Sequence, residues 1–162
     1  FGYTGGATMA CAAAGAHVTH VDAAKGMVSW AGDNRRLSKI DETSVRWIVD
    51  DARKFVMREQ RRGNTYDAIL MDPPSYGRSD NSVWKIEDDL PKLLDICNQL
   101  IDHDKPFSIV LSCHSPGFSS IVLENLLAET FGKGEFTSIE MTVPTDCGRL
   151  LPCGISTTFI KK

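Results

Sequence analysis

What this chain lacks narrows it first. No apolar run approaches the roughly 18 residues a membrane span needs, and no secretory signal pattern opens it. There is no excess of positive charge: 18 Lys and Arg stand against 21 Asp and Glu, a formal net charge of −3. No overall field therefore draws it onto nucleic acid. Cysteines are few and odd in number (Cys11, Cys97, Cys113, Cys147, Cys153), without CxxC spacing, and four scattered histidines form no ligand pattern with them, so no structural metal is expected. Cys147 and Cys153 could bridge in an oxidising compartment, but nothing else argues for secretion. Reduced thiols and a cytoplasmic location are the expectation.

What is present suits one globular domain with a real core: 162 residues, 42% of them hydrophobic and 24% charged. Two basic runs, "NRRLSK" (Asn34–Lys39) and "REQRR" (Arg58–Arg62), read first as solvated helix faces and second as binding patches. Short β-branched runs predict strands over Val18–Val21, Val45–Val49, Ala68–Met71, Ser108–Cys113, Ser138–Val143 and Thr157–Ile160. Helical periodicity covers Thr8–Ala14, Lys25–Ser38, Ala52–Arg62, Ile86–Ile101 and Ser119–Phe131, with Trp30 expected in the core. Such alternation implies an α/β, doubly wound, mostly parallel sheet. The last two strands have only "TDCGRLLPCG" between them, so they should pair as an antiparallel hairpin.

Three places carry chemistry. The opening "FGYTGG" sets Gly2, Gly5 and Gly6 before a small-residue helix, where a close backbone turn and unpaired N–H groups suit a carboxylate or phosphate. Its spacing is not G-x-G-x-x-G, which counts against an ordinary dinucleotide fingerprint. Asp22, twenty positions after Gly2, ends the next strand, where a doubly wound fold holds a ribose diol; it could equally cap the following helix. After the third strand, Asp50 or Asp51 either caps a helix or accepts from an adenine amino group.

The third place is "YDAILMDPPSYGR", Tyr66 to Arg78, where an apolar strand stops on an acid and two prolines. Pro73 and Pro74 lack N–H groups and end ladder pairing, while Asp72 before a proline is held extended. The outcome is a stiff tip rich in acceptors, with the Ser75 hydroxyl and Tyr76 ring beside it, suited to an amino-bearing planar ligand. At the C-terminal edge of a parallel strand it lies where open α/β sheets bind ligands.

In order, "FGYTGG", "HVDAAKG", "VDDARKF", "MDPPSYGR" and "LSCHSPGFS" resemble the motifs of class I S-adenosylmethionine-dependent methyltransferases. The likeness is to the bacterial large-subunit (23S) ribosomal RNA methyltransferases and covers essentially the whole chain, residues 1–162, as one catalytic domain. It implies a Rossmann-like sheet whose first strand, with an RNA-recognition region, would precede Phe1. The implied cofactor is S-adenosyl-L-methionine: Phe1, Gly2, Tyr3, Thr4 and Gly5 would wrap its methionine part, Asp22 its ribose, and Asp51 with Ala52 its adenine. Asp72, Pro73, Pro74 and Tyr76 would form the floor under the transferred methyl. The implied partner is an RNA substrate, held partly through regions outside this chain, with no membrane involved.

Two mechanisms compete. A base nitrogen held by Asp72 and the Pro73 carbonyl attacks directly, or Cys113 adds to C6 of a pyrimidine and activates C5. Cys113 reads otherwise as a small buried residue ending a strand, and His114 as a loop residue contacting substrate. Arg78, Lys85 and Arg149 are candidate phosphate contacts or plain surface charges. A nicotinamide-dependent oxidoreductase would share the glycine turn and Asp22 but gives no reason for "DPPSYG". A non-catalytic domain of the same fold, and a methyltransferase acting on a small molecule or protein, are further alternatives.

Overall fold

The computed structural model describes residues 1–79 and 82–162. They divide into two compact units, Phe1–Arg58 and Glu59–Lys162.

In the first unit the glycine-rich segment leads into α1 (Gly6–Ala13), then β1 (Val18–Asp22), α2 (Lys25–Leu37), a short 3-10 turn (Glu42–Ser44), β2 (Val45–Val49) and the start of α3 (Ala52–Arg62). β1 and β2 are parallel, in register from Val18 opposite Val45 to Asp22 opposite Val49. The connection through α2 is the crossover that parallel neighbours require. Val28 and Ala31 are the buried stripe of α2. Trp30, expected in the core, is 53% exposed instead, because it sits one position off that stripe.

The second unit holds β3 (Ala68–Met71), a hairpin of β4 (Tyr76–Ser79) and β5 (Ser82–Lys85), α4 (Ile86–Asn98), β6 (Phe107–Cys113), α5 (Ser120–Phe131), β7 (Glu135–Pro144) and β8 (Leu150–Lys161). The sheet order is β3-β6-β8-β7. β3 and β6 are parallel, while β8 runs antiparallel to both β6 and β7. The antiparallel C-terminal hairpin is thus present, with β8 inserted beside β6. Its connection is shorter than the ten residues expected, since Leu150–Gly154 already belong to β8 and only Thr145–Arg149 turn.

Packing in this unit follows the pleat. Phe107, Ile109, Leu111 and Cys113 alternate along β6 and are buried, as period-two geometry demands. They share the core with Ile86, Leu90, Leu93 and Leu94 of α4 and Leu123, Leu127 and Phe131 of α5. Phe159 of β8 is fully buried, with ring centroids 5.7 Å from Phe107 and 5.1 Å from Phe136. The Cys97 thiol is pushed up to about 12 by burial, which makes it an inert core residue.

Candidate functional site

The glycine-rich segment is fastened to β1 by its own backbone. Gly2 donates its N–H to the Val21 carbonyl at 3.0 Å, and Gly5 to the Gly2 carbonyl at 3.1 Å. A Cβ on Gly2 would lie 2.6 Å from the His20 ring, so only glycine lets the turn approach the strand this closely. Gly5 has φ of +83° and lies over Ala31, which again requires glycine. Asn34 of α2 donates to the Thr4 carbonyl at 2.9 Å and closes the turn from the other side.

Asp22 ends β1, and its carboxylate organises the turn. Oδ2 accepts from the Phe1 amino group at 3.0 Å and from the Tyr3 N–H at 2.9 Å, while Oδ1 accepts from the Ala24 N–H at 2.9 Å. Burial alone would raise this carboxyl; the hydrogen bonds it accepts, those from the Ala24 and Tyr3 N–H groups first, outweigh it and hold it below its ordinary value. The Asp22 carbonyl also accepts from the Asp50 N–H at 3.0 Å, which sets the ends of β1 and β2 side by side. Asp51 caps α3, its carboxylate accepting from the Lys54 N–H at 2.9 Å. Phe1, Gly2, Tyr3, Thr4 and Gly5 thus gather around Asp22, and Asp51 with Ala52 begins the helix after the adjacent strand.

In the second unit Asp72, Pro73, Pro74 and Tyr76 form one tip at the C-terminal end of β3. Asp72 and Tyr76 are exposed, whereas Pro73 is buried and roots the tip. The Pro74 carbonyl accepts from the Trp84 indole N–H at 2.7 Å, which clamps the β4–β5 hairpin against the tip. Ser115 Oγ donates to Ser75 Oγ at 2.6 Å, and the Ser75 carbonyl accepts from the Ile86 N–H at 3.1 Å. On the neighbouring strand, Cys113 is only 2% exposed, the fourth inward residue of β6. His114, one residue on, is at the surface with Nε2 3.2 Å from Asp72 Oδ1. Arg78 and Lys85 lie exposed on the hairpin and Arg149 on the β7–β8 turn, well separated along the chain's elements.

The contacts of Asn34 and Trp84, the Ser75–Ser115 hydrogen bond and the His114–Asp72 contact were not anticipated. Only Asn34 leaves a trace in sequence, as a polar residue continuing the Val28–Ala31 spacing on the inner side of α2. The others depend on pairing across β4–β5 and on the β3–β6 neighbourhood, which no local pattern reports.

No family model matches the chain. Over its full length it is 39% identical to a SAM-dependent methyltransferase from Agrobacterium tumefaciens, with a TM-score of 0.89 and 54% of that chain covered. A methyltransferase complexed with SAH shares the fold at a TM-score of 0.80 and 23% identity, over 99% of this chain and 43% of that one. In sequence, 149 residues (90% of the chain) are 28% identical to ribosomal RNA large subunit methyltransferase K of Neisseria meningitidis, 40% of whose length is covered. The chain therefore spans about half or less of each of these proteins.

The fold is that of the class I S-adenosylmethionine-dependent methyltransferases. Within that class the chain resembles the large-subunit ribosomal RNA methyltransferases.

Proposed function

We propose that residues 1–162 act as one catalytic domain of an S-adenosylmethionine-dependent methyltransferase that works in the cytoplasm on a base of large-subunit ribosomal RNA. The observation that carries this reading is the Asp72-Pro73-Pro74 tip, an exposed carboxylate and aromatic ring at the C-terminal end of a parallel strand. The likeness to methyltransferases along the full chain supports it.

The residues of the first unit fit the cofactor. Asp22 Oδ1 accepts a single N–H and so retains acceptor capacity for ribose hydroxyls. A Cβ on Gly6 would meet no atom within 4 Å, so the N-terminus of α1 opens onto free space. Its first-turn N–H groups suit the carboxylate of an amino acid. Phe1 to Gly5 would hold the methionine part, and Asp51 with Ala52 would border the adenine.

When bound, S-adenosylmethionine supplies an electrophilic methyl group on a sulfonium. The protein's part is positioning, because in-line displacement depends on alignment above all. Asp72 would accept an N–H of the attacking base, which orients that nitrogen and raises its electron density. The Pro74 carbonyl is already taken by Trp84, which leaves the Pro73 carbonyl as the tip's second acceptor. The exposed Tyr76 ring offers the base a stacking surface. Burial of Cys113 favours direct attack by nitrogen over a cysteine adduct, since no pyrimidine reaches Sγ without movement at the end of β6.

Calorimetric titration with S-adenosylmethionine and, separately, NAD tests the class. Micromolar-range binding of the first without the second is expected; binding of NAD alone returns the oxidoreductase reading. Transfer of tritiated methyl to large-subunit ribosomal RNA, but not to other RNAs, then tests the substrate.

A further inference from the structure

The His114 ring stands between two acceptors. Nδ1 is in hydrogen-bond contact with the Cys153 carbonyl of β8, and Nε2 lies 3.2 Å from Asp72 Oδ1. A carbonyl oxygen can only accept, so the first contact requires the proton on Nδ1. A carboxylate oxygen also only accepts, so the contact of Nε2 with Asp72 Oδ1 requires a proton on Nε2 as well: the ring joins both acceptors as the doubly protonated imidazolium.

The Cys153 carbonyl is free to do this because of an irregularity in the ladder. Register shifts between Met141 and Thr142: Met141 lies opposite Gly154 and Thr142 opposite Pro152, so Cys153 has no partner residue on β7. An extra residue of this kind is a β-bulge, which re-aims the groups around it. Gly154, next in line, has φ of +133°, and a Cβ there would sit 2.5 Å from the Cys113 carbonyl oxygen and 2.9 Å from His114 Nδ1. Bulge and glycine together let β8 approach the end of β6 closely enough to hold the ring. An ion pair between half-exposed groups adds little to stability, so a stabilising role does not account for this arrangement.

We propose that His114 is a positioning residue of the methyl-transfer site. The bulge carbonyl fixes the imidazolium through Nδ1–H, its Nε2–H occupies Asp72 Oδ1, and Oδ2 is left as the acceptor offered to the N–H of the substrate base. This rests on the methyltransferase reading of Asp72, but the geometry of the ring is open to an independent test.

Long-range proton–nitrogen spectra of the histidine-labelled protein should show both ring nitrogens of His114 protonated, and Asp72→Asn should shift its Nε2 resonance while leaving Nδ1 protonated. An unprotonated Nδ1, or no response at Nε2, overturns the proposal. In tritium transfer from S-adenosylmethionine to large-subunit ribosomal RNA, His114→Ala should lower kcat by about 10²-fold. His114→Gln, whose amide can still donate to Asp72, should recover part of it. KM for S-adenosylmethionine and the affinity for S-adenosylhomocysteine should stay unchanged in both. Full kcat in His114→Ala overturns the proposal. Failure of the wild-type protein to bind S-adenosylhomocysteine sinks the methyltransferase reading instead, while the spectra still judge the His114 geometry.

Discussion

Tyr3 donates its backbone N–H to the Asp22 carboxylate at 2.9 Å, across nineteen positions of sequence. The acid that ends β1 therefore shapes the glycine turn as well as facing whatever the turn holds. Removing it should act on cofactor binding in both ways. Asp22→Ala is expected to raise the dissociation constant for S-adenosylmethionine about tenfold to a hundredfold, since hydrogen bonds to a charged group are worth roughly 1.5–3 kcal/mol each. Asp72→Ala should abolish turnover with much less loss of binding. Calorimetry and methyl transfer on both variants separate the two roles, and equal losses would refute that division of labour.

His20 sits beneath the same turn, buried, with Nδ1 2.9 Å from Thr8 Oγ1 and its ring 5.0 Å from that of Trp47. Burial lowers its pKa from 6.5, and the Asp22 carboxylate, which pulls the other way, is outweighed. The unfolded chain thus holds the extra proton where the folded one does not. This contribution to stability is fully present above about pH 6.5 and is lost as pH falls toward the folded value. Asp22, also lowered, adds a second loss further into acid, below its ordinary 3.8. Urea midpoints measured from about pH 8 to about pH 5 should fall in the wild type and stay flatter in His20→Gln. A parallel fall in both would show that another group governs the acid response.

The strand–helix alternation is legible because β3 and β6 are short apolar runs and α2, α4 and α5 each carry a buried stripe. The glycine turn, Asp22 and the "DPPSYG" tip are legible because their backbone demands leave few residue choices. What escapes is whatever depends on distant pairing. No strand is expected between the tip and the helix from Ile86, yet Tyr76–Ser79 and Ser82–Lys85 pair antiparallel, and Trp84 reaches back to the Pro74 carbonyl. The bulge at Cys153 arises from register with β7, which local composition does not encode.

Glu59 shows the same limit within one helix. The run "REQRR" reads as a solvated face, but Glu59 is fully buried and accepts from Tyr66 Oη at 2.7 Å, Asn64 Nδ2 at 2.8 Å and Arg62 Nη1 at 2.9 Å. It ties the end of α3 to the segment that enters β3. Glu59→Ala strands the two neutral donors and should cost about 2–4 kcal/mol, read from urea unfolding. Glu59→Gln keeps the shape and should cost less than half of that. If alanine and glutamine were equally mild, Glu59 would be a spectator and the β3 entry would be held elsewhere.

Cys113 decides between the two chemistries. A cysteine that adds to a pyrimidine must reach the ring, and this one is the last inward residue of β6, enclosed with Ile109 and Leu111. The group that reaches the surface at that strand end is His114. Direct attack by nitrogen needs no thiol, so Cys113→Ala should keep methyl transfer within a few-fold of wild type, losing only what a small cavity takes from stability. Mass spectrometry of the digested RNA should then place the methyl group on a base nitrogen. Loss of all transfer in a folded Cys113→Ala protein, with the methyl found on pyrimidine C5 in the wild-type product, would reverse the assignment and require the end of β6 to open during catalysis.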